Sequence, residues 1–327
     1  MARFLHSIVQ PNTDLVASAS ITPFDLPVNP LSFLILRLEV TNVAPAALDT
    51  YSAIDDAITQ ITAVRVLHKG ELIVSGSLRD IMVLNARAFN AWPGWHKLDN
   101  LDNAVRSFTF PICLGRKMYD PTSAFPATTR GNLRFEMTAG ADGDGYDDIN
   151  FSVSAVELIE ADPAEYVKYT ANARDSVAGQ FDLPLPIGNP YLGILLFDTG
   201  MRDTLAATYS WGTVKLLKDN VEQYYPSEDI ETLGAMLQAH VGTKLGWPGH
   251  THQFNGAAAG LDETDEAGHS LRASGANGYA YLDFDPLGDG SYQMETTGAA
   301  DVKLRGQGDA ASAVRAIPVE RVPSKAT

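Results

Sequence analysis

The chain repeats itself in order, and that fact limits its fold more than any other. FDLPVNPLSFLILRLEV at Phe24–Val40 and FDLPLPIGNPYLGILLFDT at Phe181–Thr199 share Phe-Asp-Leu-Pro, then Asn-Pro, then an apolar strand-like run. One shared tetrapeptide is close to chance in 327 residues, so the companions carry the weight. Val64-Arg65-Val66-Leu67 matches Val214-Lys215-Leu216-Leu217, and Asp80-Ile81-x-x-Leu84-x-Ala86 matches Asp229-Ile230-x-x-Leu233-x-Ala235. Trp92-Pro93-Gly94 matches Trp247-Pro248-Gly249, and VSAVELIE at Val153–Glu160 resembles VRAIPVER at Val314–Arg321. The order never breaks, and each separation stays near half the chain. Such a series marks an internal duplication. The boundary falls near Asp162–Asp175, giving domains 1–165 and 166–327. Sandwich folds that reuse turn vocabulary without common descent are the other reading, and it too leaves two β domains.

The duplicated unit reads as β-sheet. Strands are expected at Ser32–Val40, Thr62–Leu67, Glu71–Ser75, Ser107–Leu114, Asn132–Thr138 and Asn150–Ile159. In the second half they are expected at Tyr191–Phe197, Thr213–Leu217, Tyr279–Phe284, Tyr292–Thr297, Val302–Arg305 and Ala313–Val322. These runs are β-branched or aromatic, often alternate, and are separated by Gly, Pro, Asn and Asp. Two helices stand out: SLRDIMVLNARAF, capped by Ser77 with Ile81, Leu84 and Ala88 on one face, and SEDIETLGAMLQAH, capped by Ser227 with Ile230, Leu233, Leu237 and Val241 on one stripe. Too few helices intervene for βαβ crossovers, so the class is an antiparallel sandwich or barrel.

Composition narrows the functions. A chain that is 45% hydrophobic and 20% charged can bury two cores, while a net charge of -16 argues against coating nucleic acid. The single cysteine, Cys113, sits in the apolar run SFTFPICLG and reads as structural rather than nucleophilic. The opening MARFLHSIVQPNTD has no cleavage-site pattern and no run is long enough to span a bilayer, so synthesis in the cytosol is expected.

Candidate chemistry is sparse. Gly306-Gln-Gly308-Asp-Ala-Ala311 mimics a dinucleotide fingerprint but leads into a strand, not a helix. Asp142, Asp144, Asp147 and Asp148 lack the remaining ligands of a calcium loop and read as a hairpin turn. His250 and His252 could share a strand face, as in cupins, yet no nearby Glu completes a metal set. The Gly/Ala-rich stretch Gly256–Gly278, with Asp262, Glu263, Asp265 and Glu266, reads as a long exposed loop. No catalytic, cofactor-binding or metal residue is assigned.

Taken together, the Phe-Asp-Leu-Pro pair, the two Asp-Ile-x-x-Leu helices and the matched closing strands resemble the double jelly-roll major capsid proteins of tailless icosahedral viruses. That resemblance implies an all-β fold of two tandem eight-stranded jelly-roll sandwiches, each with a short inserted helix. It implies a non-enzymatic virion protein, assembled in the host cytoplasm as homotrimers of pseudo-hexagonal outline. Partners would be other copies of the chain, neighbouring capsomers and minor capsid or vertex proteins, with no sequence-specific nucleic acid. Chain ends would face inward, where Arg3, Arg315, Arg321 and Lys325 could meet an internal membrane. The alternative is a two-domain jelly-roll enzyme or glycan-binding protein, bicupin-like or amidase-like.

Overall fold

A computed structural model describes residues 3–42, 57–96, 103–141, 146–198, 209–241, 245, 253–254, 263–264, 275–308 and 311–324. The first half contains β1 (Arg3–Asp14), β2 (Phe24–Asp25), β3 (Leu31–Asn42), β4 (Ile61–His68), β5 (Glu71–Gly76), helix α1 (Leu78–Phe89), β6 (Gly94–His96), β7 (Val105–Cys113), β8 (Leu133–Ala139) and β9 (Tyr146–Ile159). The second contains β10 (Glu165–Thr170), β11 (Asn172–Asp175), β12 (Gly179–Pro184), β13 (Tyr191–Asp198), β14 (Thr213–Lys218), β15 (Val221–Glu222), β16 (Glu228–Asp229), α2 (Ile230–Val241), β17 (Gln253–Phe254), β18 (Glu263–Thr264), β19 (Tyr279–Asp283), β20 (Val302–Gly308) and β21 (Ala313–Pro323).

Both halves wind the same way. In the first, one sheet runs β1-β9-β3-β7 and the facing one β2-β8-β4-β5. In the second, β10 and β11 together take the place of β1, giving β11-β21-β13-β19 against β12-β20-β14-β15. Numbering the eight main strands of each half in sequence, the two sheets read 1-8-3-6 and 2-7-4-5 in both. That is jelly-roll order, with the helix inserted between the fifth and sixth strands each time.

The repeated motifs recur because each position does the same job twice. In strand two, Phe24 stacks on Phe135, Asp25 pairs with Arg134, and Leu26 is buried. Its counterpart Phe181 packs on Trp211, Asp182 accepts from Nε and Nη2 of Arg305 at 2.6 and 2.8 Å, and Leu183 is buried. The Asn-Pro pairs open strand three. Asn29 donates to buried Glu157, and Asn189 to buried Glu320, while the carbonyls of Pro30 and Pro190 accept from the next residues, Leu158 and Arg321. Each site ends in a ladder irregularity, Leu31/Phe33 and Tyr191/Gly193. The second Trp-Pro-Gly lies outside the described residues; the first leads into β6.

Local structure corrects four expectations. Tyr292–Thr297 is not a strand, since Met294 makes only an isolated bridge to Tyr191 and Gly298 takes a positive φ. The α2 cap is not Ser227: residues 228–229 pair with β14 first, and Asp229 Oδ1 accepts from the Glu231 amide at 2.8 Å. On α1 the expected cap holds, with Ser77 and Asp80 forming a reciprocal capping box. Its single apolar face does not, because Arg79, Asp80 and Asn85 are buried along with Ile81 and Leu84. The reason is its place between the rolls. The expected list also omits β1, β10, β11 and β12, which are polar or Pro-bearing and pair at sheet edges or across the boundary.

The rolls share one sheet. β10 pairs antiparallel with β21 of its own roll and parallel with β5 of the other, through Tyr169↔Val74 and Thr170↔Ser75. One core cluster accordingly runs from Leu34 and Phe110 through α1 to Leu237, Tyr279 and Val319, while a second fills the interior of the second roll around Trp211 and Phe284.

The Asp182 pair sets a pH dependence. Hydrogen bonds from Arg305 outweigh desolvation and, with the charges of Arg305 and Lys303 added, hold the Asp182 carboxyl below its usual range. A depressed carboxyl adds stability above its unfolded pKa, lost as pH falls through the folded value. Asp182→Asn should therefore melt below the wild type at neutral pH, and the gap should narrow as the pH falls below the ordinary carboxylate range of about 4. Thermal melts across that range check it; a gap independent of pH would contradict the assignment.

Candidate assembly surfaces

The ladders show where the poles of the molecule lie. Arg3 sits opposite Ile159, Leu31 opposite Glu157, His68 opposite Leu133 and Phe33 opposite Cys113, so the chain start and the turns after β2, β4 and β7 share one end. In the second roll Glu165 faces Pro323, Lys218 faces Val302 and Gly193 faces Asp283, which collects the same turns and the closing strand's end. Because β5 and β10 run parallel, these two ends point the same way. The rolls stand side by side, with both ends of the described chain at a common base.

An ionic seam ties the rolls together there. Arg87 pairs with Asp283, Arg116 with Asp285 at 2.5 Å and with Glu165 at 3.7 Å, and Arg321 bonds both Glu165 and Gln293. These pairs edge a groove of about 500 Å³ floored by Phe89, Met118, Leu192 and Tyr281. Deeper in, Asp80 is 1% exposed and accepts from the Ser77 amide at 3.0 Å, Tyr279 Oη at 2.7 Å and Arg315 at 3.0 Å. Arg315 also lies over the Phe197 ring, 4.0 Å from its centroid. One carboxylate thus caps a helix of one roll and binds two strands of the other. Burial, with the Asp80 charge behind it, pushes the Tyr279 hydroxyl well above its usual range, so it stays a donor.

Outward-facing features differ in kind. β1 is a 12-residue strand at a sheet edge, whereas the other terminal strands of the three large sheets, β2, β6, β12, β15 and β19, have six residues or fewer. Phe4, Leu5 and Ile8 on it are exposed, Ile8 by 73%. Phe4 and His6 pack on Tyr119, which His6 also meets by hydrogen bond at 3.1 Å. A long, bare, apolar edge templates pairing unless something covers it. Other exposed large apolar side chains, among them Val28, Ile187, Leu287 and Tyr292, stand on the turns of the base.

No protein-family model matches the chain, and no curated protein matches it in sequence. Solved structures do. The STIV MCP, from Sulfolobus Turreted Icosahedral Virus, is 12% identical with a TM-score of 0.66 over 98% of this chain and 97% of that one. The major capsid protein P2 from bacteriophage PM2 is 14% identical with a TM-score of 0.58 over 100% and 98%. A chain of the PBCV-1 virus capsid is 10% identical with a TM-score of 0.59 over 99% and 95%. This is the double jelly-roll fold. At such identities the likeness extends to the fold alone.

Within the double jelly roll, the residues singled out from sequence fall as follows. Cys113 ends β7 in the core, where burial pushes its thiol far up. Gly306 and Gly308 lie in β20, where a Cβ on Gly306 would come within 2.6 Å of the Phe181 ring. They are packing glycines. Asp148 lies in β9; Asp142, Asp144, His250, His252, Asp262, Asp265 and Glu266 lie outside the described residues, as does Lys325, and Glu263 lies in β18. Among the described residues no three His, Cys, Asp or Glu gather as a metal set would. Of the terminal cations, Arg315 and Arg321 are spent on the seam, and exposed Arg3 pairs with Glu160. The seam residues carry no sequence signal beyond isolated charges at strand ends. The β1 edge reads in sequence only as an apolar run broken by His6.

Two outcomes follow. Asp80→Ala, which strands Arg315 and the Tyr279 hydroxyl, should cost roughly 3 kcal/mol in denaturant unfolding; a loss under about 1 kcal/mol would show the carboxylate to be incidental. Ile8→Asp should leave the melting temperature of the isolated chain within a degree or two while weakening self-association, since burying one isoleucine contributes about 2 kcal/mol. Unchanged association in sedimentation runs would free β1 of this role.

Proposed function

We propose that this chain is the major capsid protein of an icosahedral virus, built as homotrimers whose six jelly rolls give a pseudo-hexagonal tile. The observation that carries it is the parallel β5–β10 pairing, which holds two topologically equal rolls upright in one chain. Three such pairs around an axis present six near-equivalent corners, and cyclic closure makes a finite tile able to pave a facet. The structural neighbours support this reading, since viral capsid proteins match over nearly the whole chain.

On this reading the roll boundary is at 165/166, where β10 begins, and the protein is a structural component of the virion rather than an enzyme. Neighbouring copies cover the β1 edge, and adjoining tiles and vertex or minor capsid proteins contact the flanks. Contact with an internal membrane through basic chain ends draws little support, because two of the four cations named for it are engaged between the rolls. The solved structures named above lend the enzyme or glycan-binding alternative no support.

Light scattering of the purified protein should give about 106 kDa, three times the 35.2 kDa chain. A monomer or dimer at micromolar concentration would overturn the trimeric tile.

A further inference from the structure

The junction inside the chain has open counterparts on the far side of each roll. At the closed junction β10, the first strand of the second roll, runs parallel to β5, the fifth strand of the first. α1, which follows β5, buries nearly its whole circumference there, Arg79, Asp80, Met82 and Val83 included. The second roll offers Leu195, Phe197, Tyr279 and Ile317, all buried in the core cluster that runs through α1. Among the described residues, the strands in the same places elsewhere end their sheets: β1 opens the first roll, and β15 is the fifth strand of the second. α2, which follows β15, buries Ile230, Leu233, Leu237 and Val241 but leaves Ala235, Ala239 and Met236 exposed, Met236 by 64%. In the first roll, Ile35, Arg37, Thr109 and Ser154 hold the ladder positions of Leu195, Phe197, Tyr279 and Ile317, and they are only half-buried. Each chain thus carries both halves of a second, unmade junction.

We propose that the contact between copies repeats the contact within the chain: β1 of one copy runs parallel to residues 221–225 of the next, whose α2 lies on the outer face of the first roll. This rests on the trimeric tile, because six rolls around one axis are near-equivalent only when the step between chains matches the step within one. The ladders then fix the register. Tyr169 and His6 stand opposite Val319 and Val156, each one residue before the glutamate that Asn189 or Asn29 holds. Val74, the partner of Tyr169, stands opposite Val66. Leu216 matches Val66 in the repeat, and its backbone bonds those of Gln223 and Tyr225, on either side of Tyr224. His6 of one copy therefore meets Tyr224 of the next. Exposed Phe4, Leu5 and Ile8 on one edge and Val221 and Tyr224 on the other cover each other, as added strands do. Charge fits as well. Asp80 in the first turn of α1 holds Arg315, which lies over Phe197. α2 begins with exposed Asp229 and Glu231, and Arg37 takes the place of Phe197, so the cation has moved from strand eight to strand three.

Disulfide trapping tests the register. Parallel neighbours lie about 5 Å apart, within reach of a disulfide, and the native Cys113 is buried. The double variant His6→Cys, Tyr224→Cys, assembled under reducing conditions and then oxidised, should run as a covalent trimer on a non-reducing gel, while either single variant stays monomeric. A trimer by light scattering that gives no covalent product, or covalent dimers from His6→Cys alone, would overturn this inference and leave the tile standing. A wild-type chain that scatters as a monomer would overturn both. Hydrogen exchange on the unaltered protein guards against a variant that fails to assemble. Peptides covering 3–8, 221–225 and α2 should exchange faster on dilution to monomers; exchange at those segments indifferent to dilution would overturn the inference.

Discussion

Two residue pairs decide the shape of this molecule. Tyr169 opposite Val74 and Thr170 opposite Ser75 join the rolls edge to edge in parallel. Parallel pairing normally needs a long crossover, and here the helix and the last strands of the first roll, β6–β9, serve as that connection. With the edges joined, neither roll can invert relative to the other without breaking a shared sheet. Everything else at the boundary follows: α1 is trapped with polar residues inside, Asp80 finds its donors on the far roll, and the ionic seam lines the remaining gap.

Burying ions this way is not a cheap route to stability, because desolvation offsets much of the attraction between the charges. What Asp80 and the Arg116–Glu165–Arg321 series supply is a fixed angle between rolls, since Tyr279 and Arg315 of one roll reach Asp80 of the other in that arrangement. For a tile, a fixed angle matters more than a few kcal/mol. Each roll is also closed by the same internal devices, an Asp-Arg clasp on strand two and an Asn-Glu clasp at the base. The two rolls share these contacts while differing in the apolar residues around them.

Much of the fold could be read from the chain because the clasps are written in short, contiguous words. Phe-Asp-Leu-Pro, Asn-Pro and the closing strands recur where their residues touch equivalent partners, so the repeat carried topology. Most central strands were legible from alternation and β-branching. β1 was not, because Phe4, Leu5 and Ile8 put apolar residues on both faces of an edge and leave no period. β12 is missing from the expected strands because Asp182 and Pro184 interrupt its apolar residues and leave no run to read. The α1 stripe misled in a different way: a helix wedged between two domains buries its polar side as well, which periodicity cannot foresee. The assembly surface was the least legible, because an exposed edge is defined by what fails to pair with it, and that depends on strand order rather than on residues nearby in sequence.

The account rests on an upright pair of rolls used three times. A cryo-electron microscopy reconstruction of the purified assembly tests that claim most directly. It should resolve six β-sandwiches around one axis, from three chains, with every chain start on the same face and β1 covered by a neighbour. Two rolls pointing in opposite directions, or an assembly whose subunits leave β1 bare, would contradict it.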